Sequence, residues 1–227
     1  MSNTVLIIGA SRGLGLGLAR QFSEEGWQVI ATVRDPHRAE ALGSIPGIRI
    51  EALELTDPIS VDALAAALQG VTLDVLFVNA GINARPDLTV ANAQPDEVSQ
   101  LMFTNAVAPV RLAERLLPLL DTQRGVITFM TSAMGSLETG PGTGLPLYGA
   151  SKAALNHLTR TFVGALGQDT GLTVVSMHPG WVKTDMGGDQ APLDVKTSCR
   201  GMVAQVTQAA GRRDHRFIDY SGKTLPW

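Results

Sequence analysis

The feature that most constrains the fold of this chain is a regular alternation of short β-branched runs with longer segments of helical periodicity. Strand-like runs occupy residues 4–8, 28–33, 48–53, 73–78, 125–131 and 172–178, and a weaker seventh run occupies 216–218. Helical patterns lie at residues 14–25, 37–42, 59–68, 95–120, 148–168 and 193–210. Such alternation is typical of βαβ units, whose strands pair in parallel. The sequence therefore predicts an α/β fold, a doubly wound parallel sheet of about seven strands with helices on both faces.

Length and composition favour one domain. The chain has 227 residues, of which 44% are hydrophobic, enough for a substantial core but too few to force a division. We therefore expect a single domain over residues 1–227. Glycine and proline concentrate near 133–147 and 180–195, directly after predicted strands, where open α/β sheets carry their ligand loops. Both segments are expected to be substrate loops.

Composition also argues against several partners. The formal net charge is −3 and there is no basic block, so no nucleic-acid partner is expected. Cys199 is the only cysteine and lacks metal-ligand companions, so we expect neither a disulfide nor a metal site. The first residues run directly into a predicted strand, without a charged leader or a long apolar segment. We therefore expect a cytoplasmic protein that does not associate with membranes.

Two long predicted helices, at 95–120 and 148–168, carry leucine and alanine on more than one face. They could form an intersubunit bundle in a homo-oligomer, either a dimer or a tetramer. Burial within one subunit explains the same pattern equally well.

A glycine-rich turn follows the first predicted strand and leads straight into a helix. Its sequence is Gly9-Ala10-Ser11-Arg12-Gly13-Leu14-Gly15. Glycines at such a turn let backbone N–H groups and the helix N-terminus approach a pyrophosphate, with no β-carbon in the way. The turn therefore predicts a Rossmann-type nucleotide site, although any strand-to-helix turn can contain glycines.

The choice of cofactor is decided at the end of the second strand, where NAD-dependent folds place an acidic residue. Here Arg34 ends the strand, and Arg12 lies in the glycine turn. Two guanidinium groups can hold a ribose 2′-phosphate by forked hydrogen bonds, so we expect NADP(H) to be preferred over NAD(H). The alternative is that Arg34 forms a surface ion pair with Asp35 or another carboxylate.

Tyr148 and Lys152 lie four residues apart at the start of a predicted helix and so share one face of it. A nearby ammonium stabilises a phenolate, so we expect Lys152 to lower the pKa of Tyr148 toward neutrality. The phenol would then exchange protons with a substrate.

Two polar residues accompany this pair. Ser132 closes the fifth strand at the edge where such folds assemble their sites, and its hydroxyl could donate to a carbonyl oxygen or satisfy the turn. Asn105 lies in an apolar helical run, where its amide needs partners. It could satisfy neighbouring backbone or hold a water that joins Lys152 to solvent.

Together these residues resemble the short-chain dehydrogenase/reductase family over nearly the whole chain. The family's tetrad matches Asn105, Ser132, Tyr148 and Lys152, and its Asn-Ala-Gly and Pro-Gly elements match Asn79-Ala80-Gly81 and Pro179-Gly180. The resemblance implies Tyr148 as general acid, Lys152 on the nicotinamide ribose, Ser132 on the carbonyl and Asn105 in a water relay. It also implies cofactor contacts, with Glu54 and Leu55 bordering adenine, Asn79 near the adenosine ribose and Thr184 at the nicotinamide amide or the pyrophosphate. Further contacts are implied at Ala80, Gly81, Pro179, Gly180 and Val182.

Within the family, residues 177–186 and 219–227 are similar to the C-factor and sniffer-type carbonyl reductases. This similarity implies hydride transfer between NADP(H) and a small carbonyl or alcohol. An NADP(H)-binding signalling protein of C-factor type is the alternative. The chain departs from the family pattern at Val78, where asparagine is common, and at Glu54, where aspartate is common. Ser132 and Tyr148 are also sixteen positions apart because of the loop at 140–144.

Overall fold

Seven strands build one sheet in this computed structural model, which describes residues 2–139, 144–167 and 171–227. They are β1 (Thr4–Ile8), β2 (Gln28–Val33), β3 (Arg49–Ala52), β4 (Val75–Val78), β5 (Val126–Met130), β6 (Thr173–His178) and β7 (His215–Asp219). Every neighbouring pair is parallel, and the order is β3-β2-β1-β4-β5-β6-β7. The predicted doubly wound sheet is confirmed, including the weak seventh strand.

The α-helices follow the predicted order. They are α1 (Gly13–Glu24), α2 (Glu40–Gly43), α3 (Pro58–Ala67), α4 (Pro95–Met102), α5 (Ala108–Leu116), α6 (Pro146–Leu166) and α7 (Val195–Ala209). The predicted helix at 95–120 consists of α4 and α5 joined by a π-helical turn, Phe103–Val107, and followed by a 3₁₀ turn, Leu117–Leu119. Turns of this π type occur often at functional sites.

Local chemistry explains where two helices begin. Proline is favoured in the first turn of a helix, so α6 begins at Pro146 rather than at the predicted Tyr148. Helix α7 begins later than predicted because the Asp194 carboxylate accepts a 2.7 Å hydrogen bond from the Thr197 N–H and caps the helix. The predicted end of α6 at Gln168 lies outside the described residues.

Both faces of the sheet are covered, as predicted. Alternate residues of β1 point into two hydrophobic layers. One layer packs Leu64 of α3, Leu112 of α5 and Phe162 of α6, and the other packs Phe22 of α1 and Met202 of α7. Burial on both faces explains why the central strands β1, β4 and β5 are almost continuously apolar.

The chain reverses its direction of winding between β1 and β4. Strands β2 and β3 extend the sheet on one side of β1, whereas β4 to β7 extend it on the other. Ligands of such sheets bind at the carboxyl ends of the strands beside this switch point. Within the described ranges, no helix is long and apolar enough to cross a membrane.

Candidate active site

The glycine turn is packed tightly against the end of β4. Gly9 has φ +83°, and a β-carbon there would lie 2.8 Å from the Cβ of Ala80. The Gly9 N–H donates to the Thr32 hydroxyl at 3.0 Å, and the Asn79 amide donates to the Gly9 carbonyl at 2.7 Å. Asn79 therefore holds the turn in place. This structural role is additional to its predicted contact with the adenosine ribose.

The N-terminus of α1 opens toward the same point. Arg12 occupies the N-cap position in an extended conformation, and no side chain caps the helix. The first turn of α1 contains no acidic residue. Uncapped N–H groups at a helix start attract anions, so this end of α1 is suited to a phosphate.

A cleft of about 330 Å³ runs from the glycine turn to Tyr148 and Lys152. It lies at the switch point and brings together most of the residues predicted to contact a cofactor. They are Gly9, Ser11, Arg12, Gly13, Leu14, Arg34, Glu54, Leu55, Asn79, Ala80, Gly81, Tyr148, Lys152, Pro179 and Thr184.

Three of the predicted cofactor residues do not line the cleft, and their contacts with a cofactor stay a prediction. Gly15 is buried in α1, where it packs behind the glycine turn. Gly180 packs on the Leu193 side chain, and Val182 is buried and bridged to Leu193.

At the end of the cleft beside β2, the Arg34 side chain is exposed and lines the cleft. Within the part of the chain that the structure describes, it forms no ion pair or hydrogen bond. Asp35 caps the following 3₁₀ turn instead, accepting a 3.0 Å bond from the His37 N–H. The alternative of an Arg34–Asp35 surface pair is therefore not formed. Arg12, the second predicted phosphate ligand, forms a 2.8 Å ion pair with Asp185.

Arg111, which the sequence did not single out, braces the backbone at Leu55 and Thr56, beside the cleft. Its guanidinium donates to the carbonyls of Leu55 and Thr56, at 3.2 and 2.9 Å, and lies 5.1 Å from the centre of the Phe103 ring. Glu54, which was expected to border adenine, lines the cleft while its carboxylate accepts bonds from Thr56. Nothing in the local pattern around Arg111 signals this contact, because it spans more than fifty residues of sequence.

At the other end of the cleft, Tyr148 and Lys152 share one face of α6, as predicted. The Lys152 Nζ lies 5.6 Å from the centre of the Tyr148 ring. Nζ also donates a 2.9 Å hydrogen bond to the Met130 carbonyl at the end of β5. The ammonium is almost fully buried, so it is fixed between the sheet edge and the tyrosine ring.

The predicted electrostatics of this pair need correction. Burial raises the pKa of Tyr148 to about 12 and lowers the pKa of Lys152 to about 8. Removal from water disfavours the charged form of each group, and this effect exceeds the attraction that was expected to lower the tyrosine pKa. Tyr148 is therefore fully protonated at neutral pH, the form that a proton donor requires.

Ser132 fills the structural one of its two predicted roles, and its role toward a carbonyl oxygen stays a prediction. Its Oγ caps the 3₁₀ turn Ala133–Gly135 by accepting a 3.1 Å bond from the Met134 N–H. No acceptor for the Ser132 hydroxyl proton is found within the described ranges, so this proton remains available to a ligand. Ser132 lies one residue from Thr131, which lines the cleft, but Ser132 itself does not line it.

Asn105 is fully buried in the π-helical turn. Its Oδ1 accepts a 2.8 Å bond from the Ile82 N–H, and its Nδ2 donates to the Ile82 carbonyl and to Ser151 Oγ. Both amide protons are used, as the purely structural alternative expects. The position of a β-carbon on Gly81 would be 3.2 Å from Oδ1 and 3.5 Å from Lys152 Nζ. A water relay through Asn105 would therefore use the second lone pair of Oδ1.

Further lining residues were not predicted. Thr32 belongs to β2, Ile82 follows the Asn79-Ala80-Gly81 element, and Thr104 precedes Asn105 in the π turn. Ile82 could have been found from its position directly after a motif. Of the predicted loop at 133–147, residues 140–143 lie outside the described part of the chain.

A glycine turn with an uncapped helix start at the switch point, and a buried tyrosine–lysine pair in the same cleft, are features of nucleotide-dependent oxidoreductases. A model of the short chain dehydrogenase family matches residues 3–193. The chain therefore belongs to the short-chain dehydrogenase family, and it is an oxidoreductase of that family.

Three relatives support the predicted resemblance to C-factor and sniffer-type proteins. A carbonyl reductase from Pseudomonas aeruginosa PAO1, solved in complex with NADP, has a TM-score of 0.93 and 41% identity, with 100% of both chains covered. The carbonyl reductase Sniffer of D. melanogaster has a TM-score of 0.91 and 33% identity, again with 100% of both chains covered. C-signal of Myxococcus xanthus is 36% identical over 160 residues, which cover 68% of this chain and 93% of that protein.

Proposed function

We propose that this protein is an NADPH-dependent carbonyl reductase that converts a small, weakly charged aldehyde or ketone into an alcohol. The observation that carries the proposal concerns one cleft. At one end lies Arg34, which has no ion-pair partner among the described residues, and at the other end lies the buried Tyr148–Lys152 pair. An oxidoreductase that acts on carbonyls needs both residues that bind the cofactor and a group that donates a proton.

The residues present fit NADP(H). The uncapped start of α1 suits the pyrophosphate, and Arg34 offers a guanidinium to the 2′-phosphate. The similar carbonyl reductase from P. aeruginosa binds NADP. NADPH would supply the hydride, and this chain's residues would supply position, polarity and exclusion of water.

The proposed catalytic roles follow the family resemblance and are supported by the position of Lys152 beside Tyr148 and by the protonation state of Tyr148. Ser132 would donate a hydrogen bond to the substrate carbonyl, and Tyr148 would donate the proton that the carbonyl oxygen takes up as the alcohol forms. Lys152 would hold the ribose and keep a positive charge beside the ring of Tyr148. Asn105 fixes Ile82 and Ser151 and so shapes the wall beside the ammonium of Lys152.

Two loops are proposed to select the substrate, one near 133–147 and one near 180–195. Met186 of the second loop lines the cleft, and its side chain is largely exposed. Met130 lines the floor. Methionines adapt to apolar ligands of various shapes, which favours an uncharged carbonyl compound over a charged one.

The proton-donor role is tested with Tyr148→Phe. We expect kcat to fall about 10²- to 10⁴-fold, the usual contribution of a general acid, while the affinity for NADPH stays within about twofold. Tyr220→Phe is the matched control, because it removes the hydroxyl of the chain's only other tyrosine, and it should retain activity. The measurement is the loss of NADPH absorbance with a panel of carbonyl compounds. Full turnover by Tyr148→Phe would contradict the proposed role.

Cofactor preference is tested with Arg34→Asp. Loss of a charge-assisted contact to the 2′-phosphate should raise KM for NADPH at least about tenfold and invert the preference between NADPH and NADH. Arg124→Asp makes the same charge change at an exposed site outside the cleft and should leave both KM values unchanged. Equal use of both cofactors by the native protein would refute the NADP(H) preference.

Similarity to C-signal favours a second candidate, an NADP(H)-binding signalling protein. A sensor needs to bind nucleotide but does not need a buried proton donor beside an ammonium. Absence of turnover with every carbonyl compound tested, despite tight NADPH binding, would favour the signalling role.

A further inference from the structure

One ion pair joins the two walls of the cofactor cleft. Arg12 belongs to the glycine turn, and Asp185 belongs to the segment that follows β6, 173 residues further along the chain. Their side chains approach to 2.8 Å, and both residues line the cleft. The cation that was expected to hold a 2′-phosphate therefore already contacts an anion from the opposite wall.

Asp185 is the fixed partner of this pair. It lies in a turn in which Thr184 Oγ1 accepts a 3.0 Å bond from the Gly187 N–H, and the Trp181 indole donates to the Gly187 carbonyl at 2.7 Å. These bonds hold the backbone on both sides of Asp185. Arg12 has a long side chain with no other hydrogen bond within the described ranges, so the guanidinium is the partner that can move.

Arg12 can also readily exchange the Asp185 carboxylate for another anion. The side chains of Arg12 and Asp185 are 76% and 77% exposed, and ion pairs in so much water are weak. A phosphate monoester carries more charge than a carboxylate and offers three acceptor oxygens to a guanidinium. It therefore competes effectively for Arg12.

We propose that Asp185 is a specificity-determining residue that competes with the 2′-phosphate of NADP(H) for Arg12. This inference rests on the proposed NADP(H) function. A nucleotide with a 2′-phosphate draws Arg12 away from Asp185 and breaks the pair, whereas NAD(H) leaves the pair intact. Asp185 thus reduces the preference for NADP(H) over NAD(H). Arg34 has no carboxylate partner in the described part of the chain, so its contribution to that preference is not reduced in this way.

The test measures binding of 2′,5′-ADP and 5′-AMP by calorimetry, because neither probe carries the nicotinamide or reaches Tyr148. Asp185→Asn should bind 2′,5′-ADP about two- to fivefold more tightly than the native protein, the range expected for loss of one exposed competing pair. Its affinity for 5′-AMP should not change. Asp189→Asn is the matched control, because it removes an exposed acid of the same loop that does not line the cleft.

A double-mutant cycle separates competition for Arg12 from a general effect of charge. In an Arg12→Ala background, Asp185→Asn should no longer tighten binding of 2′,5′-ADP. The inference is overturned if Asp185→Asn leaves that affinity unchanged or weakens it, or if Asp189→Asn tightens it equally. Failure of the native protein to prefer 2′,5′-ADP over 5′-AMP would instead refute the proposed NADP(H) preference.

Discussion

The buried ammonium of Lys152 should make the stability of this protein rise with pH between about 8 and 10.5. Burial lowers its pKa to about 8, whereas the unfolded chain has the ordinary lysine value of 10.5. Between these values the unfolded state binds more protons, so protonation opposes folding. The penalty is fully present below pH 8 and disappears as the pH approaches 10.5. The difference between the two pKa values corresponds to about 3 kcal/mol.

Lys152→Met removes the titrating group and keeps a side chain of similar length. It also leaves the Met130 carbonyl without the donor that now lies 2.9 Å away, a loss of about 1–3 kcal/mol that does not depend on pH. At pH 7 the two effects oppose each other. The pH dependence isolates the first of them: the free energy of unfolding of the native protein, minus that of the variant, should increase by about 3 kcal/mol between pH 7 and 10.5.

Urea denaturation at fixed protein concentration, repeated at several pH values across this range, measures the difference. Lys196→Met is the matched control, because Lys196 is exposed on α7, and its difference from the native protein should be flat. Other groups that titrate at high pH cancel because both proteins contain them. Cys199, whose pKa burial raises to about 12, is one example. A flat or falling difference for Lys152→Met would refute the reasoning.

Two further predictions concern groups outside the catalytic pair. Arg111→Met should raise KM for NADPH several-fold with little change in kcat, because it frees the carbonyls that border the adenine end; Arg111→Lys should restore part of the affinity in steady-state assays. A fall in kcat alone would contradict this. Burial, assisted by the charge of Arg160, lowers the pKa of His215 to about 4, below the usual 6.5. The native protein should therefore lose about 2 kcal/mol relative to His215→Gln as pH falls from 7 to 4.5, measured by urea denaturation. Equal acid sensitivity of the two proteins would contradict it.

The sheet could be predicted from sequence because each strand is a short apolar run bounded by turn residues. Strands β1 and β2 have the predicted bounds, and β7 was recognised from a weaker pattern. The observed starts of two helices differ from the predicted ones because a single residue sets each start, Pro146 in α6 and Asp194 in α7. The π turn at Phe103–Val107 was not foreseen, because it depends on packing around Asn105 rather than on local propensity.

The parts of the site that consist of local sequence motifs could be predicted. The glycine turn and the spacing of Tyr148 and Lys152 are local patterns, and the structure brings them into one cleft. The ion pair of Arg12 with Asp185 is a tertiary contact that no spacing reveals. The pKa of Tyr148 was predicted in the wrong direction because burial, which a sequence does not display, dominates it.

The energetics of Lys152 argue for chemistry at this site rather than for a structural role. Keeping the ammonium charged at neutral pH opposes folding by about 3 kcal/mol, although the neutral amine could donate the same bond to Met130. An apolar side chain would occupy the space without that penalty. Residues that lower the stability of a fold tend to be retained at functional sites. A protein that only senses nucleotide could use Lys152 to hold the ribose, but it does not need a protonated phenol beside that cation, whereas a reductase needs both where the substrate takes up a proton.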